Sequence, residues 1–134
     1  MTKKELAIEK HNKGYNCCQA VACSFCDELN IPEDMMFKAG EGFGLGMGCM
    51  ECTCGALSGA VMVAGFMHST ANLEGEKSKG TTYQYSKQLV HAFAEKTGST
   101  VCKELKGIET GKVLRSCPGC IEDAVELVET ILNP

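Results

Sequence analysis

The sequence predicts an all-α fold: a small bundle of about five to six helices, with a glycine-rich loop before a buried helix rich in Gly and Ala. Apolar residues recur at helical spacing through most of the chain, capping residues stand where these segments begin, and no segment alternates as a strand does. The chain has 134 residues and no linker, low-complexity tract or internal repeat, so we expect a single domain over residues 1–134.

Six helices and one short helical turn are predicted in order. They cover residues 2–13, 16–30, 32–38, 54–67, 81–96, 102–105 and 116–132. Thr2 and Asn16 each stand three residues before a Glu or Gln, which is the spacing of a capping box. Thr81 and Ser116 are likewise placed to cap the helices that follow them.

Glycine occupies every second position from 40 to 48, within a segment, 39–49, that is predicted to be a loop. It has no preceding strand and no Lys-Ser/Thr ending, so it is not a phosphate-binding loop. We expect its glycines, and Gly55, to bring backbone N–H groups close to sulfur. In the next helix Gly55 and Gly59 form a small-residue row, which predicts close packing of another helix from this chain or from a second copy in a homodimer.

Charge and hydropathy exclude two classes of partner. The net charge is −4 and no block of Lys or Arg stands apart from the acidic residues, so we expect no nucleic-acid surface. The longest apolar run, 56–67, is shorter than the roughly 20 residues of a membrane span. The first residues form a charged amphipathic segment without the apolar core of a signal peptide, which predicts a cytoplasmic protein.

Cysteine is the unusual feature of the composition. The ten cysteines are residues 17, 18, 23, 26, 49, 52, 54, 102, 117 and 120. Without an export signal, reduced thiols are expected, which bind metal, carry out redox chemistry or pack in the core.

Four of these cysteines are predicted at or near helix starts. Cys17, Cys54 and Cys117 each follow directly on an Asn, Thr or Ser placed to cap a helix, and Cys102 lies two residues after a Thr. Free N–H groups and the helix dipole stabilise a thiolate there and lower its pKa. Both metal binding and thiol exchange require a thiolate, so we interpret these four as the metal ligands or, in a metal-free protein, the redox thiols.

Three further cysteines are assigned to cofactor binding. Cys49-x-x-Cys52 and Cys117-x-x-Cys120 have the spacing of metal-ligand knuckles, and the two together could complete a four-thiolate Zn²⁺ or iron–sulfur site.

The remaining three cysteines are assigned no role. Cys23-x-x-Cys26 lies within a predicted helix and off its apolar face, so it is interpreted as an incidental or partly exposed thiol pair. Cys18 is interpreted as a core residue, because buried cysteine is a common small hydrophobe.

The order of motifs resembles one family, named for a Cys, a CGAxxG motif and two further cysteines (the C_GCAxxG_C_C family). The resemblance is carried by Gly-Tyr-Asn-Cys at 14–17, the glycine loop at 42–48, Cys-Gly-Ala-Leu-Ser-Gly at 54–59, Cys102 and Cys117. It spans nearly the whole chain.

This resemblance implies a small helical redox-active protein of bacteria and archaea, often of anaerobes. It also implies that the family cysteines are Cys17, Cys54, Cys102 and Cys117, the four at predicted helix starts. A similar module is attached to haem proteins of the split-Soret cytochrome type and is associated there with an iron–sulfur centre, which favours cluster binding here by analogy.

Three functions therefore remain open. The first is an iron–sulfur or other metal-thiolate protein that exchanges electrons with a partner protein. The second is a metal-free thiol–disulfide oxidoreductase or redox sensor, in which Cys54 attacks and Cys17, Cys102 or Cys117 resolves the mixed disulfide. The third is a structural or storage site for zinc or another soft metal.

Overall fold

Eight α-helices make up the fold in a computed structural model that describes all 134 residues. The all-α prediction is confirmed, and the only β-type pairing is an isolated bridge between Thr53 and Val101. The helices are α1 (Lys3–Asn12), α2 (Cys17–Cys23), α3 (Cys26–Leu29), α4 (Glu33–Glu41), α5 (Gly55–His68), α6 (Lys79–Thr97), α7 (Cys102–Lys106) and α8 (Cys117–Leu127). A π-helical turn, Val128–Leu132, continues α8, and the turn Gly46–Met50 is irregular, because Met47 and Gly48 have left-handed backbone.

The helix count is higher than predicted because the segment 16–30 breaks into α2 and α3. Phe25 leaves helical geometry at the break, with φ −110° and ψ 10°. The Ser24 hydroxyl donates to the Ala20 carbonyl at 2.6 Å, a side-chain bond of the kind that competes with the backbone ladder.

The predicted caps are confirmed at three of five places. Thr2 and Asn16 form capping boxes, and the Ser116 hydroxyl accepts the Gly119 N–H at 3.1 Å. The Thr81 prediction is wrong, since α6 begins at Lys79 with Ser78 before it. The Thr53 prediction is also wrong, because Cys54 itself occupies the N-cap position of α5.

Helix α5 lies at the centre of the bundle, where α2, α6 and α8 pack against it. The predicted small-residue row permits the approach of α2: a Cβ added to Gly59 would lie 2.7 Å from the Cys18 carbonyl oxygen. The row therefore packs within the chain. Leu57, Leu89 and Val125 are among the fully buried side chains of this core.

The glycine-rich segment is only partly a loop. Helix α4 continues to Glu41, so Gly40 is helical, where the prediction had a loop from residue 39. Gly46 has φ 56°, and a Cβ there would lie 2.5 Å from Cys102 Cβ, so the segment lies directly against the start of α7. No helix combines the length and apolar character needed to cross a membrane.

A candidate thiol redox site

Five cysteines line one cavity of ≈190 Å³. Four are the predicted site residues Cys17, Cys54, Cys102 and Cys117, and the fifth is Cys120; Gly55 also lies on the wall. Cys17, Cys102 and Cys117 open α2, α7 and α8, and Cys54 immediately precedes α5. Four segments distant in sequence thus direct their first thiols into one space.

Main-chain hydrogen bonds hold two of these segments together. The Cys102 N–H donates to the Cys52 carbonyl at 2.9 Å, and the Cys54 N–H donates to the Thr100 carbonyl at 2.7 Å. These bonds flank the bridge between Thr53 and Val101. The positions of Cys54 and Cys102 along the cavity wall are therefore fixed by backbone.

Cys17 and Cys117 form a hydrogen-bonded pair in which the two thiols differ in proton affinity. The bond with Cys17 and the ammonium of Lys106, whose Nζ lies 3.2 Å from Cys117 Sγ, lower the pKa of Cys117 to about 5. The same bond, together with burial, raises the pKa of Cys17. At neutral pH the pair is therefore a Cys117 thiolate and a protonated Cys17.

Cys54 and Cys120 form a second such pair. Hydrogen bonding with Cys120 and the first backbone N–H groups of α5, at Ala56 and Leu57, lower the pKa of Cys54 to about 7. Hydrogen bonding with Cys54, followed by burial, raises the pKa of Cys120. Cys54 and Cys120 are 6% and 2% exposed.

Cys102 is 5% exposed, and its environment differs from that of the two pairs. Burial raises the pKa of its thiol, and the charge of Lys106 partly opposes this. Without a hydrogen-bonding thiol partner, Cys102 keeps its proton unless a stronger electrophile, such as a metal, displaces it.

Three basic side chains on the cavity wall were not predicted from the sequence. His11, Lys106 and Arg115 line the cavity, and Arg115 is held by two hydrogen bonds to Asp123, at 2.9 and 3.1 Å. One signal was available: Lys106 stands four residues after Cys102, so the two share a helix face. The positive charge of Lys106 compensates negative charge on the Cys117 sulfur.

The family model that matches this chain is described as "Putative redox-active protein (C_GCAxxG_C_C)" and covers residues 15–131. The chain belongs to this family. The resemblance stated from the motifs is thus confirmed, and with it the assignment of a redox role at the level of the family. No curated protein and no solved structure matches the chain.

Two of the cysteines assigned to cofactor binding from the sequence lie outside the cavity that the five cysteines line. Cys49 and Cys52 are exposed, and neither lines it. Cys49 lies on the turn Gly46–Met50, in which Met47 and Gly48 have left-handed backbone, and Cys52 follows this turn. Of the three cofactor-binding cysteines predicted, only Cys120 reaches the cavity.

The cysteines without an assigned role are buried. Cys18 is a core residue as predicted, with its Sγ 3.4 Å from Met62 Sδ. Cys23 and Cys26 are buried rather than partly exposed, because the break between α2 and α3 turns both into a small cluster around Met36. Cys23 is the last residue of α2 and Cys26 the first residue of α3, so they stand on either side of this break.

The side chains of the cavity do not fit a single metal ion. No group of three or more His, Cys, Asp or Glu residues is arranged so that it could hold one. A single tetrahedral Zn²⁺ needs three or four ligands about one point. The cavity instead contains two thiol pairs and a fifth thiol around a shared space.

Proposed function

We propose that this member of the C_GCAxxG_C_C family is an electron carrier that binds an iron–sulfur cluster in the thiol cavity, through Cys17, Cys54, Cys102 and Cys117. One observation carries the proposal: these four thiols, from four separate segments, line one cavity of ≈190 Å³. Iron–sulfur clusters are held by four cysteine thiolates, and the cluster supplies one-electron transfer when bound.

The chemistry of the donors supports this ligand set. Cluster ligands must be thiolates. With pKa values of about 5 and about 7, Cys117 and Cys54 provide thiolate at neutral pH before any metal arrives. The distribution of the thiols over a cavity favours a cluster, whose irons take separate ligands, over a single zinc ion.

Neighbouring side chains would tune such a site. Lys106 offers a positive charge and an N–H donor to Cys117, and Cys120 offers a thiol donor to Cys54. Hydrogen bonds to ligand sulfur and low solvent exposure both set the reduction potential of a cluster. Gly46 lets the backbone approach Cys102 where any Cβ would collide.

The test is anaerobic purification followed by iron and sulfide analysis and an absorption spectrum. Cys54→Ala and Cys102→Ala should abolish bound iron. Cys18→Ala should retain it, because Cys18 is buried away from the cavity. Wild-type protein that stays free of iron after anaerobic reconstitution would contradict the proposal, and so would equal loss of iron in all three variants.

A second candidate, thiol–disulfide exchange, is favoured by the Cys17/Cys117 pair. A half-buried thiolate stands beside a protonated thiol, which is the arrangement of an attacking and a resolving cysteine. The Cys117 thiolate would attack a partner disulfide, forming a mixed disulfide and releasing one partner thiolate. Cys17 would then attack Cys117 sulfur, and two electrons would end on the partner as its second thiolate leaves.

The two candidates give opposite results in the metal-free protein. If exchange is the function, reduced metal-free chain should form a Cys17–Cys117 disulfide as it reduces a disulfide substrate, and Cys117→Ser and Cys17→Ser should each abolish that bond. If the cluster is the function, Cys17 and Cys117 should stay free thiols in that assay, and activity as an electron carrier should follow iron content.

A further inference from the structure

The thiols of Cys49 and Cys52 form a pair that the cavity site does not use. They are the two exposed cysteines of the chain, since the other eight are buried or half-buried. They stand three residues apart, with the Cys-x-x-Cys spacing at which two thiols can form a disulfide. The Cys49 Sγ also lies 3.6 Å from the Gly46 carbonyl oxygen.

The backbone that presents this pair is strained. Leu45, Met47 and Met50 have φ values of 54°, 64° and 65°, the left-handed region that non-glycine residues seldom adopt. Each costs of order 1 kcal/mol or more. Such strain persists only where the surroundings hold it, and it concentrates at functional sites.

Hydrogen bonds hold the strained turn in place. The Cys52 N–H donates to the Gly46 carbonyl at 3.4 Å, which closes the turn around Cys49. The Cys52 carbonyl accepts the Cys102 N–H at 2.9 Å, which fastens the end of the turn to α7. The turn that carries both cysteines is therefore held on a fixed support.

Two exposed apolar side chains lie on the same chain segment as the pair, and one of them, Leu45, also lines the thiol cavity. Leu45 is 48% exposed and Met47 is 42% exposed, although both are large hydrophobic residues. An apolar rim beside an exposed dithiol suits a disulfide on the surface of another protein, where the rim contacts apolar groups around the disulfide.

We infer that Cys49 and Cys52 form a second redox site, a surface dithiol that exchanges with the disulfide of a partner protein. One thiolate attacks a partner sulfur, and the first partner thiolate leaves. The other cysteine then attacks the mixed disulfide, so that a Cys49–Cys52 disulfide forms and the partner receives two electrons and leaves as a dithiol. This inference goes beyond the proposed function, since it requires no cluster.

The experiment uses the full-length reduced protein with two disulfide probes, glutathione disulfide and insulin. After an acid quench and alkylation, fragment-ion mapping of the tryptic peptide 39–77 locates the new bond. We expect a Cys49–Cys52 disulfide while Cys23 and Cys26 stay alkylated as free thiols. Cys49→Ala and Cys52→Ala should lose the internal disulfide completely and accumulate a single mixed disulfide.

Cys26→Ala is the matched control, because Cys23 and Cys26 have the same spacing but are buried. It should leave the exchange unchanged. Faster reaction with insulin than with glutathione disulfide is the expected order, and the reverse order overturns the assignment of a protein partner.

Persistently free Cys49 and Cys52, or a bond from either to Cys54, overturns the whole inference. Iron content measured on the same samples separates this outcome from a failure of the cluster proposal. Cys49→Ala should keep its iron, because Cys49 does not line the cavity.

Discussion

Lys106 adds to the effect of Cys17 in lowering the pKa of Cys117, and Lys106→Met should raise that pKa from its value of about 5. The ammonium lies 3.2 Å from the sulfur. Cys117 is half-exposed, so the dielectric constant of water applies. Coulomb's law then gives an attraction of about 1.3 kcal/mol between the ammonium and the thiolate. That energy corresponds to about one pH unit. At about pH 5 the thiolate fraction should fall from about one half to about one tenth.

Alkylation of the metal-free protein by iodoacetamide reports this change, because only the thiolate reacts. We expect the rate at Cys117, followed by peptide mass mapping, to fall about fivefold near pH 5 and to be nearly unchanged near pH 8, where the thiolate dominates in both proteins. Lys106→Arg keeps the charge and should behave as the wild type. If Lys106→Met leaves the pH profile of Cys117 in place, the electrostatic account of this thiolate is refuted.

Two further predictions concern stability. Gly59→Ala should lower the free energy of unfolding in urea by about 1–3 kcal/mol, because the new Cβ meets the Cys18 carbonyl oxygen at 2.7 Å. Gly65→Ala, in the same helix but with open space around it, should raise that free energy by up to about 1 kcal/mol. Equal effects of the two substitutions would contradict the packing of α2 on α5. Hydrogen bonds from Lys96 and Lys4 lower the pKa of Glu126 to about 2, so the stability it contributes is present above the ordinary glutamate pKa and lost as pH falls toward about 2. Glu126→Gln should therefore lose less stability on acidification than the wild type, and parallel curves would argue against these ion pairs.

Local patterns were enough to predict the helices and most of their starts. Thr2, Asn16 and Ser116 cap their helices through hydrogen bonds to residues three positions away, so a short sequence window contains both partners. The break at Phe25 was missed because it depends on the Ser24 bond and on how α3 packs, and neither is visible in apolar periodicity.

The site could be predicted in outline but not in detail. Helix-start chemistry and the family motif both selected the four thiols that the fold places on one cavity. The pairing of Cys54 with Cys120 and the approach of His11 depend on long-range packing of α1, α5 and α8, for which the sequence carries no local signal. Cys49 and Cys52 lie on a segment in which Leu45, Met47 and Met50 have left-handed backbone. Residue propensities do not predict a left-handed conformation for Leu or Met, so the location of the two cysteines could not be predicted.

The contact between Cys17 and Cys117 also bears on how the chain folds. Their sulfurs are hydrogen-bonded although one opens the second helix and the other opens the last. A covalent link there, whether a disulfide or a shared metal, would close a loop of about 100 residues in the unfolded chain. By loop-closure entropy that restraint is worth about 4.7 kcal/mol, a large part of the stability of a small domain. The redox or metal state of this one pair would thus set how often the whole protein unfolds.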